Sequence, residues 1–330
     1  MNSKKINIGV IGSGHLGQYH VKHYKNMNNI NFLGLHDSNP ERGNEIAKKY
    51  ETKYFENVSN LMEVCDGVSI VTPTESHYDV AKIALNEFCC NVFIEKPITE
   101  TISQADDLIN HAQKNDLIIQ VGHIERLNPA LKALEKYDIN PKFIDIQRLA
   151  PYTARGTDVP VVLDLMIHDI DILLSLVKSK VKSIHASGVS ILTNSVDIAH
   201  ARIRFENGTV SSVTASRVAK DKVRKIKIFQ DNLYSTIDLL LEQTEIYNIT
   251  KDSNLIENAL QAEPFPGDNE KKYIVYEKPK IKNYDSLREE LNNFVNSILK
   301  IESPIVSGIE ARNALGVVIK INEMILEDLK

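Results

Sequence analysis

Cysteine is scarce in this chain, at three residues in 330, and two of the three are adjacent (Cys89 and Cys90). That is no disulfide framework, and a reducing compartment is expected. No C-x-x-C pair or clustered Cys/His pattern suggests zinc, so no metal is expected. Long hydrophobic runs are missing as well. No segment approaches the roughly 20 apolar residues that cross a bilayer, so no membrane-spanning helix and no membrane partner are expected. Lys4 and Lys5 precede an apolar run that is too short for a signal peptide and lacks a small-residue cleavage site, so the simplest location is cytoplasmic. A surplus of positive charge is absent too. The net charge of -5 gives no global attraction to nucleic acid or anionic lipid. There is no repeat and no low-complexity tract.

What remains is an ordinary globular composition, 42% apolar and 25% charged, in a length that suits two domains. Its most informative stretch comes first. Ile6–Ile11 is a short apolar run of the buried-strand kind, followed by Gly12, Gly14 and Gly17 at G-x-G-x-x-G spacing and then by a helix-compatible segment. In a dinucleotide loop Gly12 allows the tight turn, Gly14 lets a pyrophosphate approach the backbone, and Gly17 lets helix and sheet pack closely. The first helical N–H groups, at His15 and Leu16 onward, then face the phosphates, where the helix dipole favours negative charge. Asp37 ends the next apolar run, twenty residues past Gly17, where an acid accepts the ribose hydroxyls.

From Ile6 to His123, apolar runs (6–11, 31–37, 67–72, 92–95, 117–122) alternate with amphipathic stretches (16–27, 40–50, 76–86, 103–114). The pattern predicts a doubly wound parallel sheet, covered on both faces, in a Rossmann domain over residues 1–123. Ligands of such sheets bind at the carboxyl ends of the strands. Asp37, Thr72-Pro73, Glu95-Lys96-Pro97 and Gly122-His123 stand at those ends. After Asn128 the rhythm changes. A helix over 129–137, a strand over 142–149 and a helix over 161–176 precede strands at 181–192, 197–206, 209–218, 222–230 and 234–240. Ala199, Ala201, Ile203 and Phe205 alternate with His200, Arg202 and Arg204, and Asn207-Gly208 marks a tight hairpin. Residues 124–330 are therefore expected to form an α+β domain with a largely antiparallel, open-faced sheet, on which substrate or a second subunit could rest. Residues 255–270 read as a lid-like loop, and helices over 286–300 and 308–329 close the chain and could pack back on the first domain.

Lys96 ends a strand on the edge that carries the glycine loop, where it can reach the nicotinamide end of a bound cofactor. Spacing alone fits a surface lysine equally well. Asp164 and His168 lie four apart in a helical stretch, on one face. Imidazole titrates near neutral pH and suits proton transfer there, although an isolated D-x-x-x-H is by default a surface ion pair. The histidines at 15, 20, 23, 36, 111, 185 and 200 take that plainer reading.

Together, Gly12-x-Gly14-x-x-Gly17-x-x-His20, Asp37, Thr72-Pro73-x-x-x-His77, Glu95-Lys96-Pro97 and Asp164-x-x-x-His168 resemble the glucose–fructose oxidoreductase / inositol dehydrogenase family over essentially the whole length. The segments around Phe294-Val295 and Pro304–Glu310 look like that family too. The resemblance implies NAD(P)-dependent oxidation of a sugar or polyol, and homodimers or homotetramers formed through the sheet face. It implies a cofactor site that includes Thr72, Pro73, His77, Glu95 and Lys96. Lys96 corresponds to the family's catalytic lysine, Asp164 to an aspartate orienting the sugar or the imidazole, and His168 to the base. NAD is expected over NADP, because a carboxylate at 37 repels a 2′-phosphate and only Arg42 could offset it.

A narrower resemblance rests on Gly122–Pro129, Leu163–Asp171, Ala201–Gly208 and Ser216–Val218. These look like members that oxidise UDP-N-acetylglucosamine at C3, whose product a partner aminotransferase converts to a 3-amino sugar. Arg126, Arg148, Arg155 and Arg217, with Asn128, then become candidate substrate ligands, since guanidinium forks suit phosphate oxygens. Structural ion pairs explain any one of these arginines at least as well. The alternatives are a dehydrogenase of a free sugar or inositol and, from another class, a sensor or co-repressor that binds dinucleotide without turnover.

Overall fold

The computed structural model describes residues 5–153, 159–267 and 271–330. Grouped by their own contacts, the described residues of Met1–Ile124 with Asp285–Gly316 make one compact unit, and Glu125–Tyr284 with Val317–Lys330 make another.

The first unit begins with β1 (Ile6–Ile11), α1 (Gly17–Lys25), β2 (Ile30–His36), α2 (Pro40–Lys49), α3 (Val58–Met62), β3 (Gly67–Ile70), α4 (Thr74–Glu87), β4 (Asn91–Glu95), α5 (Ile102–Lys114) and β5 (Ile119–Gly122). Its strands pair in parallel in the order β2-β1-β3-β4-β5. Every residue of β3 and β5 is buried, including the polar Ser69 and Gln120, which is why these segments are mostly apolar and do not alternate. The helices start where their caps dictate. Asn39 accepts the Glu41 and Arg42 amides and Pro40 occupies the first turn of α2, while Thr101 and Gln104 close a capping box on α5. α3, capped by Asn57, has five residues, too few to show a helical period in sequence. From β1 the chain moves outward to β2, then returns to β3 on the other side of β1. The strand order thus reverses between β1 and β3, where such sheets open a ligand crevice.

The second unit contains α6 (Pro129–Lys132), β6 (Phe143–Leu149), α7 (Ile167–Val177), β7 (Val181–Val189), β8 (Ile198–Phe205), β9 (Val210–Ser216), β10 (Val223–Gln230), β11 (Leu233–Asp238), β12 (Gln243–Thr250), α8 (Ser253–Asn258), β13 (Gln261–Pro264) and β14 (Tyr273–Glu277). Nine strands form one sheet, β13-β14-β12-β11-β10-β6-β9-β8-β7, antiparallel throughout except at β6–β9. Alternation in β8 falls as expected, with Ala199, Ala201, Ile203 and Phe205 buried and the residues between them exposed. The 207–208 turn also forms, with Gly208 at φ +93° and the Phe205 amide donating to Thr209 O. Phe143, Phe229, Tyr234, Tyr247 and Tyr276 make a ladder across five strands, with ring centroids 4.8–5.9 Å apart.

Three expectations need correction. The helix expected over 129–137 is one α turn followed by a 3-10 turn, Ala133–Lys136. The helix expected over 161–176 opens with a wider π turn, Val162–Met166. The supposed lid over 255–270 carries most of α8 and all of β13, which pairs with β14; Asp268–Glu270 lie outside the described residues. Helices α9 (Ser286–Ile298) and α10 (Gly308–Asp328) follow. Leu291, Phe294 and Val295 of α9 join the core that holds Ile8, Val10, Tyr24 and Phe93.

Candidate active site

The glycine loop crosses from β1 to α1 beside β3. Gly12 has φ +91°, and a Cβ there would stand 2.5 Å from Val71 O. At Gly17 a Cβ would stand 2.0 Å from Gly12 O. Both positions are closed to any side chain. At Gly14 a Cβ would meet nothing within 4 Å, and Gly14, His15 and Leu16 are exposed. The amino end of α1 has no side-chain cap; its Gln18 and Tyr19 amides donate to Gly14 O and Leu16 O, and the helix dipole favours an anion at this end. A pyrophosphate fits this bare, donor-rich edge.

Asp37 closes the loop from β2. Its Oδ2 accepts from Ser13 N (2.6 Å) and Ser13 Oγ (2.7 Å), and its Oδ1 accepts from Asn39 N (2.9 Å). Burial alone would raise its pKa, but these bonds, the Ser13 hydroxyl foremost, bring it below the usual carboxylate value. The carboxylate is charged at neutral pH and keeps acceptor capacity on Oδ1 for a ribose hydroxyl. Arg42 donates from Nε to Ser13 O (3.1 Å) and from Nη1 to Glu45 (2.7 Å). Ser13 was not singled out in the sequence; its only signal there is its place inside the loop.

At the end of β3, the Thr72 hydroxyl is buried with no hydrogen-bond partner among the described residues, and Pro73 is exposed beside it. An orphaned hydroxyl at a strand's carboxyl end is what a ligand would satisfy. His77 and Glu95 differ from the cofactor contacts expected of them. His77 is 1% exposed, and its Nδ1 and Nε2 lie 2.8 Å from Pro97 O and 2.9 Å from Thr72 O. Burial lowers its pKa, so the neutral ring donates to one of these carbonyls at a time. Glu95 accepts from His20 Nε2 (3.2 Å) and from the Lys96 amide (3.4 Å). His20 is fully buried and is no surface residue, as the plainer reading had it. Lys96 is half-buried, between Glu95 and a cis bond to Pro97.

In the second unit, Asp164 sits on the π turn and His168 on the first turn of α7, both half-buried. π turns inserted in helices are frequent at functional sites. The next two acids, Asp169 and Asp171, are buried and were missed in the sequence. They claim two of the arginines expected to bind substrate. Arg148 Nε lies 3.0 and 2.9 Å from the two Asp169 oxygens, Nη2 donates to Asp169 (2.8 Å), and Nη1 donates to Glu125 (3.0 Å). Burial raises the Asp169 pKa against the pull of Arg148. Arg126 grips Asp171 through Nε (2.7 Å) and Nη2 (2.9 Å). Asn128 caps α6 through the Ala130 amide and donates to Leu239 O. Forks and amides so committed hold the fold together. Arg217 is buried and donates to Val159 O. Arg155 lies outside the described residues.

A bare glycine bend at the switch point of a parallel sheet, closed by an ionised aspartate, defines a dinucleotide-binding oxidoreductase domain. Comparison with known proteins agrees. Residues 6–123 match the model of an oxidoreductase family with an NAD-binding Rossmann fold, and residues 146–232 match the GFO/IDH/MocA C-terminal domain. The chain is 33% identical over 314 residues to UDP-N-acetylglucosamine 3-dehydrogenase of Acidithiobacillus ferrooxidans, covering 95% of each. It is 25% identical to myo-inositol 2-dehydrogenase of Thermotoga maritima, over 94% of this chain and 93% of that one. A solved structure of the Acidithiobacillus ferrooxidans UDP-N-acetylglucosamine 3-dehydrogenase superposes with a TM-score of 0.88 at 31% identity, covering 99% of this chain and 100% of that one. The chain belongs to the Gfo/Idh/MocA family of NAD-binding oxidoreductases.

Proposed function

We propose that the protein oxidises a hydroxyl of a nucleotide sugar to a ketone, and that the substrate is UDP-N-acetylglucosamine, oxidised at C3. The observation that carries this reading is the 33% identity over 95% of the chain to a dehydrogenase of that sugar. NAD, when bound, would supply the hydride acceptor. The chain's own residues do the rest. The glycine bend and the amino end of α1 hold the pyrophosphate, Asp37 takes the ribose, and the Thr72 hydroxyl faces the dinucleotide. The negative charge of Asp37 disfavours a 2′-phosphate, which supports NAD over NADP. Lys96 hydrogen-bonds the reacting oxygen and stabilises the charge that develops on it. His168 takes the hydroxyl proton, and Asp164 orients the sugar or the imidazole. The exposed aromatics Phe143, Phe229 and Tyr247 support self-association through the sheet face. An aminotransferase that consumes the 3-keto product is the expected functional partner.

His168→Ala tests the assignment of the base. Its turnover should fall by about 10²–10⁴ while NAD affinity is retained. Near-normal turnover would remove His168 from the role. A polyol or free-sugar substrate is the second reading, favoured by the nearly full-length similarity to myo-inositol 2-dehydrogenase.

A further inference from the structure

The segment Glu95-Lys96-Pro97 is held at both ends by buried histidines from two different helices. On its amino side, Glu95 accepts from His20 Nε2 of α1 (3.2 Å), with side chains 14% and 1% exposed. Space for that carboxylate comes from β5, where Gly122 is paired with Glu95. A Cβ on Gly122 would stand 2.9 Å from Glu95 Oε1, so a bare backbone there is a condition of the contact. His20 is seated in turn by an edge-on contact with Phe93, centroids 5.3 Å apart. On the carboxyl side, the His77 ring of α4 lies between Pro97 O and Thr72 O. It thereby ties the turn after β4 to the turn after β3.

We propose that His20 and His77 are positioning residues that clamp the Glu95-Lys96-Pro97 turn, and so fix where the Lys96 ammonium meets the reacting oxygen. The proposal rests on the reading of Lys96 given above. It follows from what the two rings touch. Both histidines are buried; both His77 nitrogens lie against carbonyls, while His20 Nε2 meets Glu95 and its Nδ1 is buried without a hydrogen-bond partner among the described residues. Both rings end on the residues flanking Lys96, and they start from α1, whose amino end faces the pyrophosphate, and from α4, which follows the orphaned Thr72 hydroxyl. The same two rings therefore register the lysine against the two turns that shape the cofactor crevice. A lysine stem has four rotatable bonds, and only the backbone beneath it can be fixed from behind in this way.

A double-mutant cycle separates this role from general stability. Turnover and sugar KM, NAD dissociation constants and melting temperatures are measured for His20→Ala, His77→Ala, Lys96→Ala and the two His/Lys96 double variants. Each histidine variant should lose roughly 10- to 100-fold in kcat, the scale of a small misplacement of a reacting group. NAD affinity should hold within about threefold, and in the Lys96→Ala background each histidine loss should shrink to about twofold or less. His77→Gln and His20→Gln, which keep one donor, should recover part of kcat, and they replace any alanine variant that melts below the assay temperature. Losses that persist undiminished without the Lys96 side chain would overturn the clamp. Near-normal turnover of Lys96→Ala alone would instead overturn the reading of Lys96.

Discussion

Gly14 and Gly17 answer opposite constraints within one loop. Gly17 is glycine because the fold leaves no room, with Gly12 O where its Cβ would be, whereas Gly14 faces open space that the fold itself does not use. Alanine at 17 should therefore destabilise the protein by at least about 1–3 kcal/mol through overpacking. Alanine at 14 should leave the melting temperature near that of the parent yet weaken NAD binding by roughly tenfold or more, because a methyl group then stands where the pyrophosphate approaches. Calorimetric titration and thermal melts read the two effects separately. Full NAD affinity in Gly14→Ala would mean that the cofactor does not lie on this edge. At this scale the glycine spacing and Asp37 were legible in the sequence, because the chemistry they serve lies within one strand–turn–helix. Arg148, Arg126 and Asn128 were not, because their partners come from distant segments that only the tertiary fold brings to them. One signal was nonetheless there to be used. Ile144, Ile146 and Arg148 share a parity in β6, which places Arg148 on the buried face, where a charge needs a buried partner.

Among the elements, β7 and β8 are joined by a turn that one side chain organises. Asp197 accepts from the amides of Ile191, Leu192 and Thr193 and from the Thr193 hydroxyl. Burial would raise its pKa, but those donors, led by the Leu192 amide, depress it to about 2. Its contribution to stability is therefore complete above the unfolded value of 3.8 and is lost as pH falls from there through about 2. Asp197→Asn should cost on the order of 1–3 kcal/mol at neutral pH. It should also flatten the acid-side fall of the melting temperature between those two values. A melting profile that matches the parent's across the range would contradict the role. Strong alternation made β8 readable, and the mostly apolar runs made β1 and β3 readable. β13 was not, because its four residues are all exposed and its strand character comes wholly from pairing with β14. The π turn before α7 likewise leaves no trace in a sequence whose apolar period suits an ordinary helix.

For the whole molecule, the order of elements, parallel first and antiparallel afterwards, was legible, because the change from alternating strands and helices to successive strands spans many residues. That Asp285–Gly316 belongs with the first unit was open in the sequence as a packing-back of the closing helices, but its extent was not legible, since α9 offers only an amphipathic face and not the identity of the sheet it covers. Function at this scale joins a family-wide redox chemistry to one particular sugar, and the two can be examined in a single assay. Purified protein is incubated with NAD and, in parallel, with UDP-N-acetylglucosamine, free N-acetylglucosamine and myo-inositol. Formation of reduced nicotinamide is followed by absorbance, and products are followed by mass. Reduction with the UDP-sugar, yielding a product lighter by two hydrogens and carrying a ketone at C3, is the predicted result; turnover of myo-inositol or the free sugar with none of the nucleotide sugar would contradict it.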